Sequence, residues 1–196
     1  MPNFNYKGTL FYYASLIVLI MGYSNATIES LLQSFKQAIG ADYEKYRNHV
    51  YRVFLNCILI DAAKSNEEKY AITAVFHDIG IWTNNTIDYL NPSIEEARRH
   101  LWQSGKQHWI NEIGLMIYWH HKTSSYKGEY ASTVETFRKA DYIDVSLGLF
   151  TYGFDKKVIS INRKLFPNAG FHLFLVKRIT RNLFRHPLNP LPMFTR

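Results

Sequence analysis

Apolar residues recur at helical spacing along nearly the whole chain, and a few side chains that water normally claims fall on those same apolar faces. No stretch alternates with the period of a strand and no internal repeat is present, so the fold class is expected to be all-α. On the expected second helix Tyr46, His49, Val50, Val53 and Cys57 share one stripe. On the fifth, Trp109, Ile113, Met116, Ile117 and His120 do so, and on the sixth Val134, Phe137, Asp141 and Val145. A histidine or aspartate on such a stripe points inward.

Local signals place the helix ends. The first helix is expected over residues 27–39, closed by Gly40, and the second over 42–63. The third begins at Ser65, with Glu68 completing a capping box, and runs through Phe76-His77-Asp78 to a break at Gly80. After a connector at 84–91, the fourth begins at Ser93 with Glu96 in the same arrangement and ends near Gly105. The fifth covers 107–121, the sixth 132–149 and a basic seventh 171–184. The ending His186-Pro187-Leu188-Asn189-Pro190-Leu191-Pro192 is expected to lie extended over the domain, since proline lacks an amide donor.

A chain of 196 residues holds one domain with a full core rather than two. The expected organisation is an apolar extension at 1–26, a helical domain at 27–150 and a basic helix and tail at 151–196, packed on that domain. Residues 10–21 (LFYYASLIVLIM) are too short for a comfortable membrane span of about 20 residues. They read as a helix packed on the domain, as residues ahead of a true start at Met21, or as a signal core preceded by Lys7 and followed by Ser24-Asn25-Ala26. A cytoplasmic protein is expected, with membrane anchoring or export through residues 10–21 as the alternative. The single cysteine, Cys57, excludes an intramolecular disulfide and reads as a small core residue. The net charge of +7 is uneven: residues 151–196 carry nine Lys/Arg against one acidic residue. That tail suits phosphate, an acidic partner or a membrane surface, and equally a solvated helix face. No nucleic-acid motif accompanies it, so no specific nucleic-acid partner is expected.

Each inward histidine, taken alone, has a mild explanation as a neutral imidazole bonded to a backbone carbonyl. Inward carboxylates do not, because a buried unpaired carboxylate is costly. Several histidines and two aspartates on consecutive helices are satisfied together by a divalent metal, which needs neutral imidazoles and ionised carboxylates.

The order His49, then His77-Asp78-Ile79-Gly80, then Lys139-Ala140-Asp141 resembles the HD superfamily of metal-dependent phosphohydrolases. The resemblance covers residues 27–150. The segments Tyr46-Arg47-Asn48-His49, 76–82, 119–122, 137–145 and 186–193 also look like a family of bacterial HD proteins. It implies an HD-type helical bundle with His49, His77, Asp78 and Asp141 as ligands of one metal. Members with additional histidines bind two metals bridged by the HD aspartate, and His100, His120 and His121 sit where those would come. His108, His172 and His186 have no such place. The implied ions are one or two of Mn, Mg, Co, Zn or Fe. The implied activity is attack of a metal-bound hydroxide on a small phosphorylated substrate: a nucleotide, a phosphomonoester or a small diester. Asp78 would orient the water and Lys122 or a neighbouring histidine would protonate the leaving oxygen.

The chain departs from the family where Lys often follows the motif and Ile81 stands instead, which removes one phosphate contact. No Gly-Tyr-Pro follows the His120-His121 pair, which disfavours cyclic-dinucleotide phosphodiesterases of the HD-GYP kind. Arg52, Lys122, Arg138 and Lys139 are the candidate replacement phosphate contacts, and Trp82 and Tyr118 could stack a base or simply pack. Two alternatives stay open. Some HD-fold proteins hold two irons with the same ligand order and oxidise a small substrate with O₂, and a non-catalytic, metal-stabilised binding module would use the same residues.

Overall fold

The computed structural model describes residues 23–189 and 191–195. The readings attached to residues 1–22 lie outside these. The described residues form helices without strands: α1 (Ala26–Ile39), α2 (Tyr43–Ile60), α3 (Lys64–Phe76), a short α4 (Gly80–Thr83), α5 (Leu90–Gln103), α6 (Ile110–Trp119), α7 (Ala131–Val145), α8 (Lys156–Leu165), α9 (Phe171–Arg185) and a short α10 (Pro192–Thr195). Among the described residues no helix is long and apolar enough to cross a membrane.

The core explains the order of packing. Helices α2 and α7 form the most extensive pair, burying Tyr46, Val50, Val53, Phe54 and Cys57 against Val134, Phe137 and Ala140. Each Val or Phe among them contributes about 1.5–3 kcal/mol on burial. Helices α3 and α6 complete the layer with Ile72, Val75, Phe76, Ile113, Met116 and Ile117. Asn25 caps α1 by accepting from the Ile28 amide at 3.1 Å, and Gly40 at φ 59° closes it. Helix α7 stops at Val145, four residues earlier than the periodicity suggests. Leu147 and Gly148 there adopt φ 58° and 78°, and the Gly148 amide donates to Ile143 O at 2.8 Å.

Both expected capping boxes are replaced. Helix α3 begins before Ser65, and Asp61 organises its start by accepting from the Ala63 amide, Asn66 and the Tyr70 hydroxyl. Ser93 lies inside the first turn of α5 and accepts the Gly80 amide at 3.0 Å, tying α5 to the turn that carries His77 and Asp78. Gly80 is also not a helix-breaking glycine of positive φ. Helix α3 has ended at Phe76, and Gly80 is required by close approach: a Cβ there would meet Tyr89 O at 2.6 Å and Pro92 Cβ at 2.8 Å.

Two features of the C-terminal segment depart from expectation. Helix α8, which the periodicity did not reveal, is capped by Asp155 on the Lys157 amide and buries Val158, Ile159 and Asn162. The tail is not simply extended, because Pro192 begins α10, where its missing donor costs nothing. Met193 packs with Ile81, Ile87, Tyr89 and Leu90.

Replacing Gly80 by Ala should lower stability by about 1–3 kcal/mol, because backbone rather than a flexible side chain must give way. Chemical denaturation measures this, and an unchanged midpoint would contradict the close packing of α4 on α5.

Candidate metal centre

Four helices deliver the inward polar side chains to one place. His49 comes from the middle of α2, His77 and Asp78 from the turn after α3, His120 and His121 from the turn after α6, and Asp141 from α7. His49, His77, Asp78, His120 and Asp141 are all buried. Two groups have donor atoms mutually within 4.8 Å: His49, His77 and Asp78, and then Asp78, His120 and His121. Either group could hold a metal ion, and Asp78 belongs to both.

The aspartate faces each group with a different oxygen. Its Oδ2 lies 3.6 Å from His49 Nε2 and 3.5 Å from His77 Nε2, while Oδ1 lies 3.6 Å from His120 Nε2. Asp141 Oδ1 lies beside the first group, 3.7 Å from His49 Nε2 and 3.8 Å from His77 Nε2, but outside the set of donors mutually within 4.8 Å.

The other ring nitrogens fix the tautomers. His77 Nδ1 donates to Ala74 O at 2.8 Å, and His120 Nδ1 to Ile117 O at 2.6 Å. His49 Nδ1 donates to Asp144 Oδ2 at 2.7 Å. All three imidazoles are therefore locked from behind with Nε2 turned toward the carboxylates, the arrangement that orients metal-ligating histidines. Asp78 Oδ1, Asp141 Oδ2 and His120 Nε2 are buried with no hydrogen-bond partner. Such orphans are costly in a helical core, and a cation between Asp78 Oδ1 and His120 Nε2 would satisfy those two.

His49 Nε2 and His77 Nε2 stand 3.0 Å apart. Two ligands about 2.0–2.1 Å from one ion have about this separation. Without an ion a proton does the same work. Burial lowers the His49 pKa, but its hydrogen bonds to Asp144 and Asp78 outweigh burial and raise it to about 9. Burial lowers that of His77 to about 3. A protonated His49 thus donates Nε2–H to a neutral His77. Burial likewise raises the Asp141 carboxyl to about 6.

The structure places the other candidate site residues as follows. His100 is not part of either group: α5 turns its half-buried ring onto Phe76, with centroids 5.4 Å apart. Arg52 is buried with its guanidinium paired to Asp144 and to the carbonyls of Phe166 and Pro167. Arg138 is paired to Glu135 and to Lys122 O. Lys122 Nζ lies over the Tyr118 ring at 5.1 Å and Lys139 Nζ over Tyr152 at 5.8 Å. His121, placed by the end of α6 at Trp119, joins His120 and hydrogen-bonds the Tyr89 hydroxyl.

The residue that sequence reasoning missed is Asp144, three positions beyond Asp141 and therefore on the same side of α7. Its i, i+3 spacing was the available signal. Aromatic rings wall the cluster: Phe171 stacks on His49 at 4.1 Å, and Trp82 lies between Tyr46 and Phe174 at 4.5 and 5.3 Å. Comparison with protein-family models, with curated proteins and with solved structures finds no match.

Ion binding at the His49 group must displace the proton that His49 holds below about pH 9. Affinity should therefore rise with pH, by up to about tenfold per unit for one proton displaced. Calorimetry with Co(II) at pH 6 and 7.5 measures the effect, and equal affinities would contradict the proton-for-metal exchange.

Proposed function

We propose that the chain is a metal-dependent hydrolase of the HD type, in which Asp78 and the histidines around it would hold one ion in each of two groups, with phosphate esters as its substrate class. The observation that carries this reading is the two-sided placement of Asp78. Its Oδ2 faces the His49–His77 pair, and its Oδ1, without a hydrogen bond, faces His120. A single ion at the His49 group would leave Asp78 Oδ1 and His120 Nε2 without a partner. The ligand set is His49, His77, Asp78 and Asp141 on one side and Asp78, His120 and His121 on the other. Mn, Mg, Co or Zn ions, when bound, would acidify water and polarise a phosphoryl oxygen.

The chain's own residues supply the rest. The outward Nδ1–H bonds of His49, His77 and His120 hold the Nε2 lone pairs in place, so little reorganisation accompanies binding. Tyr46, Trp82 and Phe171 exclude water and lower the local dielectric, which strengthens every charge interaction in the cluster. Lys122, directly after His121, is the candidate proton donor to the leaving oxygen.

A second reading is favoured by one observation: Arg52 and Arg138 are committed to Asp144 and Glu135. A substrate of high negative charge would then be met mainly by the ions. A small, weakly charged substrate oxidised with O₂ at two irons suits such a site better.

Metal analysis of the purified protein, run with a panel of phosphate esters and an oxygen electrode, separates the readings. Phosphate release with Mn, Mg, Co or Zn, abolished in Asp78→Ala, is the expected outcome. Two irons per chain with O₂ consumption would replace hydrolysis by oxidation, and no turnover with any metal would reduce the site to a structural one.

A further inference from the structure

Two of the candidate ligand imidazoles, His77 and His120, are held by local geometry, but His49 is not. His77 and His120 each donate Nδ1–H to a carbonyl three residues back in the chain. His49 donates instead to Asp144, 95 residues away. Asp144 is in turn the hub of a buried set of bonds. Arg52 Nε and Nη2 reach its carboxylate at 2.6 and 2.9 Å, and Arg163 Nη1 of α8 reaches it at 3.3 Å. His172 Nε2 of α9 donates to its backbone carbonyl at 3.1 Å. Arg52 is itself fixed by the carbonyls of Phe166 and Pro167, and Phe171 stacks on the His49 ring with planes 17° apart. Apart from its own helix and the cluster it faces, His49 is aimed by Asp144 and by the segment from Arg163 to His172.

We propose that Asp144 is a positioning residue that makes ion affinity at the His49–His77–Asp78 group depend on docking of residues 163–172. The basic C-terminal segment is then a working part of the metal centre rather than an appendage. The proposal rests on the metal reading above. Its physical basis is that a carboxylate behind a ligating imidazole fixes ring orientation and raises ligand basicity, and removing such a partner typically weakens metal binding about 10–100-fold. None of the bonds described for residues 163–172 runs to Asp78, His120 or His121, so the second group should be spared. The effect is selective for one ion of two, which a general loss of packing would not be.

The test is titration of the full chain with Co(II), following calorimetry and the Co(II) absorption spectrum, with circular dichroism as the check on folding. Wild type is expected to bind two ions. Asp144→Asn should weaken one site about 10–100-fold and leave the other unchanged. His172→Ala and Arg163→Ala, at partly exposed positions, should weaken the same site by smaller factors while the protein stays folded, and they decide the matter if Asp144→Asn does not fold. Two sites of wild-type affinity in these folded variants, or equal weakening of both, would overturn the proposal. Absence of Co(II) binding by wild type would overturn the metal reading itself.

Discussion

Asp78 and Asp141 bring two carboxylates into a helical core at 3% and 1% exposure, and the rest of the site follows from what that requires. A third, Asp144, is neutralised by the bidentate guanidinium of Arg52 and by His49, and its pKa is depressed because these bonds outweigh burial. Asp78 and Asp141 have no such cation; imidazoles surround them, and one oxygen of each lacks a hydrogen bond. Burying charge in this way is tolerated only if something positive completes it. In the ion-free protein a proton between His49 and His77 is part of that completion. The donor chemistry of the cluster, imidazole nitrogen and carboxylate oxygen, is that of divalent metal binding.

Much of this was legible in the sequence because helical period reports which way a side chain faces. The inward placement of His49, His120 and Asp141 follows from their stripes, and the break after Phe76 lets His77 and Asp78 share a site. Period does not report which neighbour an inward residue meets. His100 lies beside the apolar stripe of α5 but packs on Phe76. Arg52 looked like a surface cation, yet it is buried because Asp144 and two carbonyls await it. Asp144 belongs to no motif, and only its i, i+3 spacing from Asp141 places it on the same side of α7. His172 looked ordinary for a similar reason: besides Asn168, its partner is the backbone carbonyl of Asp144, which no side-chain pattern reveals.

The caps show the same limit at a smaller scale. Ser93 carries the signature of a capping residue but serves the Gly80 amide across a helix junction. Gly80 carries the signature of a helix breaker but is kept small by α5. In both cases tertiary contact overrides a local rule, and both lie beside His77 and Asp78. The turn that presents His77 and Asp78 is thus held from outside, by α5, as His49 is held from outside by Asp144.

If Asp78 serves both donor groups as proposed, two ions lie within this cluster. Anomalous diffraction from crystals of the Mn(II)-loaded protein, recorded on both sides of the metal edge, tests it most directly. The account predicts two anomalous peaks, one bounded by His49, His77, Asp78 and Asp141 and the other by Asp78, His120 and His121, with one Asp78 oxygen on each. Mn(II) peaks elsewhere on the surface, with Asp78 and Asp141 left without an ion, would contradict it.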